Sequence, residues 1–368
     1  LGGEFEGRAG ELRSPGPPLN TIFWGLLGIL FLFATLRATL YPMWAWDAIA
    51  TWGLKGKAFY LHRSIDFSGL DAHNYYPNLV PLLLSYLYLC LGQVNDHLVK
   101  GIFPFWGALL LMLLYNFLLR LGLSRNQALG LTTFFALNGT VFIVHLYIAY
   151  ADLALTFYTF GAAGLLYLWL KDAAPRGGLP LLAVFLAALP WCKYEGTPLA
   201  ATIILAGGLT LAWLRPPDIR RRLLGLAWPL GGLILGYLPW RLYCHWHFIE
   251  GGSDHILGFH PQQLLQAVPS LLVALINPQH FGILWPVLLA ALIISGKALW
   301  TSPRLFLALF IAGNLAAILL AYAVAPTAAA EFPQYIRGTV DRLLLHLTPT
   351  AALVVGVGWK DLGGGPGT

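Results

Sequence analysis

The sequence predicts an all-helical integral membrane protein with about ten transmembrane helices and one long outer loop. Three observations predict it. Of the 368 residues, 58% are hydrophobic and only 10% are charged, against about a quarter charged in an ordinary soluble domain. The apolar residues run unbroken for the length of a span, where the strands of a membrane barrel would alternate apolar with polar. In lipid every backbone N–H and C=O needs an internal partner, so unbroken runs read as helices. Finally, Lys and Arg concentrate between alternate pairs of runs, as cytoplasmic loops do.

Taken in order, residues 1–18 are polar and rich in Gly and Pro, and read as a disordered cytoplasmic tail. Spans follow at 19–41, 99–119, 127–147, 153–171, 179–192, 196–214, 223–243, 281–296, 304–324 and 342–359. The polytopic domain covers 19–360, and 361–368 form a second cytoplasmic tail. An apolar piece at 77–92, bounded by Pro77 and Gly92, is short and is expected to lie along the membrane or dip into it without crossing. With that segment non-crossing, 13 of the 22 basic residues fall on the side of the termini, including the cluster RPPDIRRR at 215–222. Both termini are then cytoplasmic. The net charge of +6 is read as topology, and nucleic acid is not expected as a partner. Cys90, Cys192 and Cys244 form no CxxC pair and read as small apolar residues in helices.

Nine basic residues remain on the outer side: Arg37, Lys55, Lys57, Arg63, Lys100, Lys193, Arg241, Arg337 and Arg342. Cations placed against the usual bias suit an anionic headgroup, above all a phosphate. Outer loop 42–98 carries most of the polar chemistry. Its first motif, YPMWAWDAIATWGLKGKAFY, sets Asp47 beside Trp44 and Trp46 at the end of the first span. Asp47 reads either as a helix cap or as a carboxylate that deprotonates a hydroxyl. The second motif, DAHNYYPNLVP, supplies His73, Tyr75 and Tyr76. Asp152, in YIAYADLALTFY, opens the fourth span as a cap, as a polar site, or as both. Lys193 and Glu195, in WCKYEGTP, interrupt an apolar stretch at a turn or a buried polar site. In RGTVDRLLLHLTP, Arg342 either pairs with Asp341 or grips a phosphate, with Arg337 one turn away. His245, His247, His255, His260 and His280 crowd one outer region without metal-ligand spacing, so no metal site is expected there. The NGT sequon at 138–140 falls inside an expected span and is set aside.

These motifs, in this order, resemble the GT-C superfamily of polytopic glycosyltransferases. The nearest branch is the group of protein O-mannosyltransferases and lipid A aminoarabinose transferases. The resemblance runs over about 20–355 and rests on Asp47 after the first span, the Pro-rich HNYYPNLVPLL, Asp152 after the third span, the K-x-E-G of Lys193 to Gly196, and the Arg342-to-Pro349 stretch. Where the O-mannosyltransferases carry an Asp-Glu pair, Asp47 is followed by Ala48. The resemblance implies a GT-C fold in a bacterial cell membrane and a polyprenyl-phosphate sugar as donor. The acceptor would be a glycan, lipid or protein, and the active site extracytoplasmic. Asp47 would be the general base of an inverting transfer, with Asp152 the next candidate. Arg342 and Lys193 would hold the donor phosphate, with Arg337 and Lys57 behind them. His73, Tyr76, Glu195 and Trp46 would touch substrate, and Asp152 and Glu195 would orient hydroxyls or hold a divalent cation. No other cofactor is implied. A transporter or flippase for a lipid-linked sugar is the alternative, since it needs the same basic cleft and no base. A non-catalytic scaffold would need neither.

Overall fold

The structure is a computed structural model and describes residues 18–249 and 258–363. The tail before residue 18, the last five residues and His255 lie outside the described residues. The described chain is helical without strands. In order it comprises α1 (Pro18–Leu40), a π-helical turn (Ala48–Trp52), α2 (Gly53–His62), α3 (Leu79–Leu91), α4 (Asp96–Val99), α5 (Ile102–Arg120), α6 (Arg125–Leu137), α7 (Thr140–His145) and α8 (Asp152–Leu170). There follow α9 (Gly178–Cys192), α10 (Gly196–Leu214), α11 (Ile219–Gly225), α12 (Ala227–Trp246), α13 (Leu264–Ile276), α14 (Pro278–Phe281), α15 (Leu284–Thr301), α16 (Arg304–Val324), α17 (Phe332–Leu345) and α18 (Thr348–Gly363).

Seven of the described helices are long and apolar enough to cross a membrane, and eight if α17 and α18, bent by 45°, count as one span. The expected number was ten, and the difference lies in two places. The run 127–147 is not one helix but α6 and α7, broken at Asn138 and Gly139. The segment before α15 stitches this break. Asn138 Nδ2 donates to the Phe281 carbonyl at 2.6 Å, and Thr140 Oγ1 donates to the Gln279 carbonyl at 3.0 Å. Broken backbone at membrane depth survives only with such partners. The NGT sequon therefore sits at this break rather than inside a continuous span. The other difference is α9, whose 15 residues reach about 22 Å at 1.5 Å per residue, short of a hydrocarbon core of about 30 Å.

The helix ends nevertheless pair at two faces. At one face Asn20 donates to Asn126 (2.7 Å) and Lys360 to the Leu121 carbonyl (3.0 Å). On that same face Arg222 binds Asp172, and Trp213 donates to the Trp300 carbonyl. At the other face His97 meets the Thr39 carbonyl, Lys100 donates to the Pro42 carbonyl, and the His260 amide donates to the Ala323 carbonyl. The ends of α1 and α18 share a face. Segment 79–91 begins and ends at the opposite face, because Lys57 and Tyr88 both bind Asp96 beyond it (2.6 and 2.7 Å). It is one of the shorter apolar helices, 13 residues long. Within outer region 244–280 the sequence reading passed over α13, which stays at that face.

The closest helix pairing is α9 against α12. Gly232 and Gly236 face Ala183 and Ala187, and a Cβ at either glycine would overlap the opposing backbone. This small-xxx-small contact is how membrane helices gain packing where lipid gives no hydrophobic drive. It fixes the end of α9 and with it the position of Lys193.

Candidate active site

At the face opposite the start of α1 and the end of α18, a cleft of about 200 Å³ opens between the π-helical turn, the 71–78 segment, the 193–195 turn and α17. Asp47, Thr51, Trp52, His73, Tyr76, Lys193, Glu195 and Arg342 are among its lining residues. The cleft thus joins segments separated by nearly 300 positions.

Its centre is an ion-pair network. Arg342 Nη2 donates to Asp47 Oδ2 at 2.5 Å and to Asp152 Oδ2 at 2.9 Å, and its Nε reaches Asp152 Oδ2 at 3.2 Å. Lys193 Nζ lies 3.1 Å from Asp152 Oδ1 and 3.0 Å from Glu195 Oε1. Three carboxylates therefore share two cations. Asp152 is fully buried beneath both, whereas Asp47 and Glu195 reach the cleft with side chains 27% and 30% exposed. Burial pulls the Lys193 ammonium toward neutrality, but Asp152 and Glu195 overcome it and raise its pKa. Burial likewise raises Glu195, and Lys193 more than reverses it, so Glu195 stays ionised. A buried charge is tolerated only with such compensation.

Local structure sets these positions. Asp47 precedes the π-helical turn but makes no side-chain cap bond, so the capping reading gives way to the Arg342 pair. π-Turns often mark functional sites because they re-aim a side chain. Arg342 does not pair with its neighbour Asp341, which meets His280 Nδ1 at 2.9 Å. The guanidinium also lies over the Tyr150 ring, 4.5 Å from its centre, which pins the planar fork. Behind the network, Thr156 Oγ1 and His346 Nδ1 are 2.9 Å apart, with His346 at the bend between α17 and α18.

The remaining sequence-predicted residues are distributed as follows. His73 and Tyr76 line the cleft, and His73 Nδ1 is 3.1 Å from the Tyr75 hydroxyl. Trp46 is 71% exposed and does not line it. Lys57 is turned toward Asp96, and Arg337 is exposed on α17, so neither joins Arg342 and Lys193. The outer histidines separate: His280 goes to Asp341, and His247 packs on Tyr243 with ring centres 4.2 Å apart. Among the described residues no group of three or more His, Cys, Asp or Glu is arranged to hold a metal ion.

Sequence reasoning missed Thr51, Trp52, Tyr335 and Thr339 as lining residues, and it missed the burial of Lys55. Thr51 and Trp52 lie four and five positions after Asp47 on the same helical turn, which was a usable signal. Tyr335 and Thr339 are about two turns and one turn before Arg342, on one face of α17. Two buried polar atoms of the lining, Trp52 Nε1 and Glu195 Oε2, have no protein partner among the described residues. Each would satisfy a bound hydroxyl.

No protein-family model matches the chain, and no curated protein matches it in sequence. Among solved structures, the crystal structure of ArnT from Cupriavidus metallidurans bound to undecaprenyl phosphate aligns with a TM-score of 0.65 at 12% identity. The alignment covers 94% of this chain and 61% of that one. The chain therefore shares the helical membrane fold of that protein and spans about three-fifths of its length.

Proposed function

We propose that this protein is a glycosyltransferase that moves a sugar from a polyprenyl-phosphate donor to an acceptor at the extracytoplasmic membrane face, with inversion. The observation that carries the reading is the meeting of Asp47, Arg342, Lys193 and Glu195 in one cleft, in a fold shared with a protein solved with undecaprenyl phosphate. The face assignment is supported by the basic loops. Arg120, Arg125, Lys171, Arg176, Arg215, Arg220 to Arg222, Lys297 and Arg304 all flank helix ends opposite the cleft. The positive-inside rule makes that opposite face cytoplasmic.

In the proposed reaction the donor phosphate seats on Arg342 and Lys193. Neither carboxylate uses Arg342 Nη1, which is left for a phosphate oxygen. The phosphate competes with Asp47 for the guanidinium and so releases the carboxylate toward the acceptor. Asp47 takes the proton of the acceptor hydroxyl, whose oxygen forms a bond to the anomeric carbon. The bond from that carbon to the phosphate oxygen breaks on the opposite side, which inverts the centre. Polyprenyl phosphate departs with the electron pair, and the two cations stabilise the charge that grows on it. Asp152, fully buried, acts as counter-ion to both cations and not as a base. In this reading the carboxylates are balanced by Lys193 and Arg342 rather than by a divalent cation. No step is routed through one.

The test is transfer in proteoliposomes with a panel of radiolabelled polyprenyl-phosphate sugars, comparing the native protein with Asp47→Asn. Release of polyprenyl phosphate by the native protein, with donor bound but not turned over by the variant, supports the reading. Equal turnover by both removes Asp47 as base. Intact donor crossing the bilayer with both proteins replaces the enzyme with a transporter.

A further inference from the structure

Lys55 stands apart from the network just described. It sits on α2, eight positions after Asp47, and is fully buried. Among the described residues it has no ion pair. Its Nζ instead donates to two backbone carbonyls of one turn, Tyr76 at 3.1 Å and His73 at 3.3 Å. The carbonyl between them, Tyr75, accepts from Trp240 Nε1 of α12 at 3.0 Å. The turn is tight: the Tyr76 amide donates to the His73 carbonyl, and His73 has a positive φ of 48°. Its carbonyls thus face Lys55 and Trp240, while the side chains of His73, Tyr75 and Tyr76 line the cleft.

We propose that Lys55 is a positioning residue for the proposed transfer: it seats the His73–Tyr76 turn against the helix that continues from Asp47, and the cleft has its aromatic wall only while that seat is closed. The chemistry is specific to a lysine. An ammonium on a flexible stem can reach two carbonyls of a turn, and it can also give up its proton in a dry site. The groups facing it are the Trp52 ring (5.7 Å), Cys244 of α12, and His73, Tyr75 and Tyr76 of the turn itself. The nearby acid Asp96 is taken by Lys57 and Tyr88, and Arg241 of α12 faces the Tyr194 hydroxyl. No carboxylate offsets the burial of Lys55, which lowers its pKa to about 7.

The direction of the pH effect follows. With the turn open, the amine meets water and keeps its ordinary value of about 10.4. With the turn closed it binds fewer protons between the two values. Closure is therefore favoured as pH rises from about 7, by up to about tenfold per pH unit. Below about pH 7 the preference for closure levels off at its weakest.

Hydrogen exchange read by mass spectrometry on the full chain in detergent tests this, with rates corrected for intrinsic pH dependence. In the native protein the protection of peptides covering 71–78 should rise steeply between pH 7 and 9, while α8 stays unchanged. Lys55→Met should abolish the pH dependence. Lys55→Arg keeps the donors but cannot lose its charge, so its protection of 71–78 should stay flat with pH and fall at least tenfold below that of the native protein by pH 9. A native pH profile that is flat, or a Lys55→Arg protein as protected as the native one at pH 9, overturns the proposal. If both variants unfold, shown by lost protection in α8, the native pH series decides alone. Exchange uses no donor, so a pH-responsive turn in a protein without transfer activity would sink the transferase reading and leave the seat standing.

Discussion

Asp152→Asn removes one charge from the buried network and changes almost no volume. In the native protein the carboxylate takes contacts from Lys193 at 3.1 Å and Arg342 at 2.9 and 3.2 Å, and is itself without access to water. Breaking one side of a buried ion pair typically costs about 3–5 kcal/mol, because the partner charge is left uncompensated. Here Arg342 keeps Asp47 and Lys193 keeps Glu195, which places the expected loss at the low end, about 3 kcal/mol. At about 2 °C per kcal/mol for a chain of this size or smaller, unfolding in detergent should fall by about 6 °C. The assay is thermal and denaturant unfolding of the purified protein with a double-mutant cycle to Lys193→Met. Once either partner is gone the Lys193–Asp152 contact is already lost, so the two single losses should not add, with a coupling of about 1.5 kcal/mol or more. Asp152→Asn unfolding within 0.5 kcal/mol of the native protein, with no coupling to Lys193, would refute the counter-ion reasoning.

Asp47→Asn should leave stability within about 1 kcal/mol, because this pair is partly exposed, yet cut the transfer rate by about 10²–10⁴ as loss of a general base does. Single-turnover transfer against donor binding separates the two effects. Arg342→Lys keeps the charge but loses the planar fork over Tyr150. Its donor KM should rise about tenfold or more, whereas Arg337→Ala and Lys57→Met, whose side chains lie away from the cleft, should change it less than twofold. Gly236→Leu places a side chain where α12 meets the Ala187 backbone. It should separate α9 from α12 and destabilise the fold by about 2 kcal/mol or more, measured by unfolding in detergent.

The membrane class and the helical architecture follow from composition and apolar run length. Those signals are additive along the chain and need no knowledge of contacts. The main site was legible for a related reason: Asp47, Asp152, Lys193, Glu195 and Arg342 are costly at the membrane boundary, so each stands out from an apolar background. What the sequence left open was pairing. Arg342 had Asp341 beside it, yet helical geometry turns adjacent residues apart, and the guanidinium meets Asp47 and Asp152 instead. Lys57, Lys55 and Arg337 looked equivalent as outer cations. Only packing turned Lys57 to Asp96, left Arg337 in solvent and buried Lys55 under a turn. The break between α6 and α7 was hidden because an apolar run carries no record of where its backbone loses its own hydrogen bonds. The loop that supplies the missing partners lies more than 130 residues away. Burial and charge cost are written residue by residue, whereas the choice of partner is made only when distant segments meet.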